Sequence, residues 1–151
     1  MYTLTPRSVF DWDFDVWDAG TLAGVLRMDW LGESGVLERD GRTWVLAREG
    51  WRSGAYFLAH GGSRVASAEK PSAFERRFVC ELGTETAVWS AEAAFARAFV
   101  LERSGCRAGT FRPRGWFTRE GTLDLPGDVA FERQLFLAWL ALLQWRRAKR
   151  R

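Results

Sequence analysis

Histidine occurs once in this chain of 151 residues, cysteine twice and lysine twice, and each scarcity removes a class of chemistry. A structural zinc site needs four nitrogen, sulfur or carboxylate ligands, and His60, Cys80 and Cys106 are too few to build one. Any Cys-His or Ser-His-Asp arrangement would have to recruit His60. That residue sits beside Gly61-Gly62 at an expected hairpin tip, where a histidine is ordinary surface. Cys80 and Cys106 form no C-x-x-C pair and imply no disulfide framework; both read as small buried hydrophobes inside strands. The fifteen glycines are dispersed through turns, and no phosphate-loop or dinucleotide fingerprint follows any strand. The expectation is a protein that is not an enzyme and carries no cofactor and no metal.

Two further absences concern location and partners. Met1 to Phe10 has no basic segment followed by an apolar one, so a cytoplasmic protein is expected. The formal charge is only +3, and Arg146, Arg147, Lys149, Arg150 and Arg151 supply +5 at the C-terminus, leaving about −2 on residues 1–145. Nucleic-acid binders spread their cations over a face or groove, so no nucleic-acid partner is expected.

What the chain has in abundance is apolar and aromatic surface: 47% hydrophobic residues, with nine Trp and eleven Phe. A chain of this size and composition folds as one domain, residues 1–151, without staples. Phe10 to Val16 alternates apolar residues with Asp11, Asp13 and Asp15, the period-two pattern of a strand with one buried face. Val36 to Arg39 and Thr43 to Leu46 flank Asp40-Gly41, a pair suited to the positive φ angles of a type I′ hairpin. Ala73 to Glu81 repeats as Ala94 to Glu102 at an offset of 21, with Tyr56 to Leu58 and Trp116-Phe117 near the same phase. Each unit is read as an aromatic strand, a turn and a return strand. Extended along residues 1–125, this spacing predicts a mainly β meander of about twelve short antiparallel strands. That number favours a closed barrel, because closure removes exposed edges; a β-sandwich with a packed helix is the alternative.

Beyond Pro126-Gly127 the pattern changes. Asp128 is the expected N-cap of a helix over 128–148, and Leu135 to Leu143 is apolar on every face. Such a helix must be enclosed by protein or by lipid. A membrane span takes about 20 apolar residues, and this run of nine lies between Gln134 and Gln144, so a core helix is preferred over a tail anchor.

A meander of about twelve strands around Phe57, Phe78 and Phe99, followed by one apolar helix from Phe131 to Trp145, resembles the tubby C-terminal-like superfamily, which includes the LURP-one-related proteins and the phospholipid scramblases. The resemblance lies in element order and hydropathy and carries no site residue across. It implies a closed barrel with the helix threaded through it, and a non-enzymatic binding module.

Candidate binding residues are few. Asp11, Asp13 and Asp15 could offer oxygen ligands to calcium, but a flat strand does not wrap an ion, and pairing with cross-strand arginine is the preferred reading. Arg76, Arg77, Arg97, Arg103, Arg107, Arg112 and Arg114 could form an anion-binding face, but Glu75, Glu81, Glu92 and Glu102 interleave with them, so a mixed solvated surface is expected. The basic tail, residues 146–151, remains. One or two cations suffice to complement a helix dipole, and five could also contact anionic phospholipid at about 1 kcal/mol each. The resulting expectation is a cytoplasmic binding module that could be peripheral at an anionic membrane surface through Arg146, Arg147, Lys149, Arg150 and Arg151, with a solvated, partly frayed tail preferred over a dedicated lipid site. A tail-anchored membrane protein is the second reading and an enzyme of unrecognised type the third.

Overall fold

The computed structural model describes all of residues 1–151 and contains twelve strands followed by one helix. The strands are β1 (Tyr2–Pro6), β2 (Asp13–Asp18), β3 (Thr21–Met28), β4 (Ser34–Arg39), β5 (Arg42–Arg48), β6 (Ala55–His60), β7 (Ser63–Glu69), β8 (Arg77–Leu82), β9 (Glu85–Ala91), β10 (Phe99–Arg103), β11 (Cys106–Pro113) and β12 (Gly121–Asp124); the helix is α1 (Phe131–Arg150). Each strand pairs antiparallel with its sequence neighbour, and β1 pairs with β12 through Tyr2 to Leu123, Thr3 to Thr122 and Leu4 to Gly121. That last pairing closes the sheet, so the architecture is a barrel and not a sandwich.

Period-two alternation is what makes the barrel possible. Phe14 and Val16 on β2, Leu46 and Trp44 on β5, Phe78 and Cys80 on β8 and Phe111 on β11 all point inward and are buried. Asp13 and Asp15 face out, where Arg27 lies 3.8 Å from Asp13 and Arg7 lies 3.2 Å from Asp15. Asp13 and Asp15 therefore lie on a paired outer face, whereas Asp11, expected on the same strand, lies in the loop before β2 and accepts the Asp13 backbone N–H. No group of three or more metal-ligating side chains converges anywhere in the chain.

The helix supplies the other half of the core. Every residue from Gln134 to Arg146 is buried, so its all-apolar stretch is surrounded by the barrel. Trp139 packs edge-on to Tyr56 from β6, Trp145 stacks on Phe111 from β11 at 5.0 Å, and Phe131 meets Tyr2 from β1. Full burial of a large apolar side chain stabilises by about 1.5–3 kcal/mol, and the helix buries nine between Phe131 and Trp145, leaving its alanines aside. Small residues make room for it. A Cβ on Gly35 would come within 3.4 Å of the Trp139 indole nitrogen and 2.6 Å of a backbone oxygen.

Several sequence-based expectations need correction. Asp128 does not cap the helix; α1 starts at Phe131 with Ala130 before it, and the Asp128 carboxylate is held by Arg103 instead. Residues 73–76 and 94–97 are loops, so only the second half of each repeat is strand. Cys106 is exposed at the start of β11, while Cys80 is buried, which pushes its thiol pKa up. The helix also continues to Arg150, so most of residues 146–151 is ordered helix.

Candidate functional site

In an up-and-down barrel successive connections fall at alternate ends, which separates two rims. One rim carries five tight turns. At Ala19-Gly20, Asp40-Gly41, Gly61-Gly62 and Ser104-Gly105 both central residues have positive φ, as a type I′ turn requires, and Gly83 supplies the fifth. The other rim carries six loops, residues 7–12, 29–33, 49–54, 70–76, 92–98 and 114–120. The helix enters at the first rim and its C-terminus emerges among these six loops.

All six loops end in exposed apolar side chains. Val9 and Phe10 lie on the first, Trp30 and Leu31 on the second and Trp51 on the third. Phe74 and Phe95, on the fourth and fifth, are each 98% exposed, and Trp116 and Phe117 project from the sixth. Nine of the twelve large exposed hydrophobic side chains of the protein thus stand on one rim. The repeat seen in the sequence accounts for part of this crown: Phe78 and Phe99 face the core, while their partners Phe74 and Phe95 occupy loop tips.

Arginines pin this crown in place. Arg76 donates to the carbonyls of Ala93, Ala94 and Ala96 in the next loop. Arg97, one repeat later, donates to Gly115, Trp116 and Thr118 at 3.2, 3.0 and 2.6 Å. Arg119 continues the series by donating to Ser8 and Asp11 in the first loop. These three residues share the spacing Phe-x-Arg at Phe74, Phe95 and Phe117. The loops 29–33 and 49–54 are held differently, by Arg146 from the helix on Asp29 and Gly32 and by Arg48 on Ser53. No arginine side chain donates into loop 70–76, because Ser53 stands at the third position of Trp51-x-Ser53 where the other repeats have arginine.

The helix end divides into two parts. Arg146 is buried, its guanidinium spent on the carbonyls of loop 29–33. Arg147 is half-buried and bonds both the Glu33 carboxylate and the Tyr56 hydroxyl, the latter at 2.8 Å. Burial alone would raise the Glu33 pKa, but the Arg147 hydrogen bond and the charges of Arg147 and Arg48 overcome it and hold the carboxyl below its usual value. Burial raises the Tyr56 phenol. Lys149, Arg150 and Arg151 are exposed, with Arg150 reaching the Trp30 carbonyl at 2.8 Å. Of the five basic residues that the sequence offers as lipid contacts, three therefore face solvent at the centre of the crown and two brace it from within.

No protein-family model, curated protein or solved structure matches this chain.

The charge follows the same division of the molecule. The six loops and residues 146–151 together hold twelve cationic and seven acidic side chains, whereas everything else holds ten cationic and twelve acidic. Several of the strand arginines lie in the mixed surface expected of them: Arg107 and Arg112 both bind Glu92, which they hold down at about pKa 2, and Arg103 binds Glu85 and Asp128. His60 lies at the opposite rim, its Nδ1 3.0 Å from the Thr43 carbonyl and its ring beside Trp44. Cys80, buried, and Cys106, at a separate turn, stand apart from it. The exposed loop aromatics escape a sequence reading because apolar residues at strand-like spacing read as core; their recurrence at the Phe-x-Arg step is the available signal.

Proposed function

We propose that the protein is a peripheral membrane-binding module that docks its loop rim on an anionic phospholipid surface. The observation that carries this reading is the coincidence, on one rim, of nine exposed apolar side chains with the excess of positive charge. Aromatic side chains favour the membrane-water interface, and cations near it are attracted to anionic lipid by about 1 kcal/mol each. Neither signal alone holds a protein firmly, but the two combined do. The apolar tips are separate knobs on six loops, a form suited to a fluid surface that closes around each knob. The barrel wall suits lipid poorly, since its outward positions carry ion pairs such as Arg27 with Asp13 and Glu38.

The tail-anchor reading has less support. The apolar run of α1 fills the barrel, and no helix is long and apolar enough to cross a membrane.

Vesicle co-sedimentation tests the proposal. The expected result is binding to vesicles containing phosphatidylserine, weakened but not abolished by high salt, with a blue shift of tryptophan emission. Replacing Phe74, Phe95 and Phe117 together by Ser is expected to lower affinity about 100-fold, at roughly 1 kcal/mol per aromatic. Failure to bind anionic vesicles at low salt, or full binding by the triple variant, would overturn the reading.

A further inference from the structure

Between loops 70–76 and 92–98 and the end of α1 lies a cleft of about 410 Å³ whose ten lining residues include Lys70, Arg76, Arg147 and Arg151 and not one acid. Lys70 and Arg151 make no ion pair and no side-chain hydrogen bond in the structure. Arg76 spends its guanidinium on neutral carbonyls, so its charge too is uncompensated. Only Arg147 has a carboxylate partner, Glu33, which is already shared with Arg48. Three cations without a counter-charge, gathered beside a fourth whose carboxylate is shared, repel one another, an arrangement that stabilises the fold only when an anion lies among them. Burial, followed by the charge of Arg147 and then those of Arg151 and Arg76, depresses the Lys70 pKa despite the opposing pull of Glu33.

A second, independent feature points to the same place. Gln144 is only 4% exposed, lines this cleft, and its amide nitrogen has no hydrogen-bond partner. A buried donor left unpaired is costly and rare. Amide N–H groups donate, so the group that completes it must be an acceptor. The cleft is flanked by Phe74 and Phe95, which present apolar surface on either side of its mouth. It also lies beside loop 70–76, the one loop into which no arginine side chain donates.

We propose that this cleft binds a phosphate monoester group, with Lys70 and Arg76 countering its charge, Gln144 donating to one oxygen once its buried amide turns into the cleft, and Phe74 and Phe95 covering the organic part of the ester. Both a soluble phosphorylated metabolite and a lipid with a terminal phosphate offer this chemistry. The site does not depend on rim docking, since a soluble monoester would fill it equally.

The test uses the full chain. Thermal unfolding is followed against inorganic phosphate and phenyl phosphate, with sodium chloride holding ionic strength constant. Stabilisation by phosphate beyond chloride is expected, as for any ligand that binds only the folded state, and at lower concentrations for phenyl phosphate. Lys70→Met is expected to weaken phenyl phosphate binding about tenfold. Gln144→Leu is expected to weaken it severalfold while leaving the melting temperature of the free protein unchanged or raised, which a purely structural glutamine would not do. Vesicles bearing phosphatidic acid and phosphatidylserine at equal charge separate the sources: a preference for phosphatidic acid that Lys70→Met removes assigns the lipid headgroup, and equal binding to both by wild type and variant assigns the soluble ester. Absence of any phosphate-specific stabilisation, or an undiminished one in both variants, would overturn the site. Loss of vesicle binding with retained phenyl phosphate binding would defeat rim docking alone.

Discussion

The two rims of the barrel are built on opposite principles. At the rim of tight turns the chain reverses in the fewest possible residues, using a positive-φ pair such as Asp40-Gly41, and leaves almost nothing apolar beyond the wall. At the other rim each reversal takes five to seven residues, exposes at least one large apolar side chain, and spends an arginine to hold its backbone at five of six loops. Long loops cost conformational entropy, and the exposed tips gain nothing within the monomer. The contrast sets one end of the molecule, with apolar tips turned to solvent, against another where the chain does little more than reverse.

The broadest challenge to that division is to remove what both rims share. Deleting residues 128–151 takes away the helix that fills the interior, including Trp139, Phe136 and Leu140, each fully buried. Loss of cooperative unfolding by calorimetry is expected, and the single change Trp139→Ala is expected to cost about 3–5 kcal/mol. A truncated chain that melts at the same temperature as the intact one would refute the helix as the core.

Arg97→Met should then distinguish the rims. Arg97 donates to three carbonyls of loop 114–120 and lies 4.3 Å over the Trp145 ring. Its loss leaves part-buried acceptors unpaired, at about 1.5–3 kcal/mol for bonds to a charged group. Hydrogen exchange should accelerate in loop 114–120 while the turns at Asp40-Gly41 and Gly61-Gly62 stay protected. Equal loosening of both rims would mean that the arginine acts on the whole barrel and not on its own loop.

Glu33 gives the contrast a pH dependence. Its folded-state pKa lies below the ordinary value of 4.5, so the stability it contributes is present above about pH 4.5 and disappears as pH falls through the lower folded value. Glu33→Gln is expected to cost about 1–2 kcal/mol near neutrality, by loosening the grip of Arg147 and Arg48. The gap between wild type and variant should narrow below pH 4.5. A gap that stays constant from neutral to strongly acidic pH would show that the charge of Glu33 is not what matters.

How far these regions are legible in the sequence differs in the same way. Alternation from Asp13 to Val16, the Asp40-Gly41 turn and the polar-flanked run Leu135 to Leu143 report local patterns that the fold obeys, so strand number, closure and the core helix can be anticipated, although Phe10 to Trp12, in the same alternating run, form a loop. The crown cannot. Phe74 and Phe78 look alike in a periodic reading, yet one is 98% exposed and the other buried, because the loop-to-strand boundary at Arg77 falls between them. Arg146 and Lys149 also look equivalent within a basic run until the helix fixes which face meets loop 29–33; Lys149 then faces solvent and Arg146 does not. Asp128 has the right chemistry for a cap, but Arg103 competes for it from β10.

The smallest effect is expected at the plain rim, and it serves as the control for all the others. Gly41 has φ of +74° and nothing within 4 Å of where a methyl group would stand, so Gly41→Ala meets no clash and incurs only the left-handed backbone penalty, about 1 kcal/mol. Denaturant unfolding should register that loss, while affinity for phosphatidylserine vesicles should equal that of the wild type. The turn lies at the end of the barrel away from Phe74, Phe95 and Phe117, and a mild destabilisation there leaves the crown assembled. If Gly41→Ala weakened vesicle binding as much as a crown substitution of equal thermodynamic cost, binding would be following global stability, and the division of labour between the two rims would be lost.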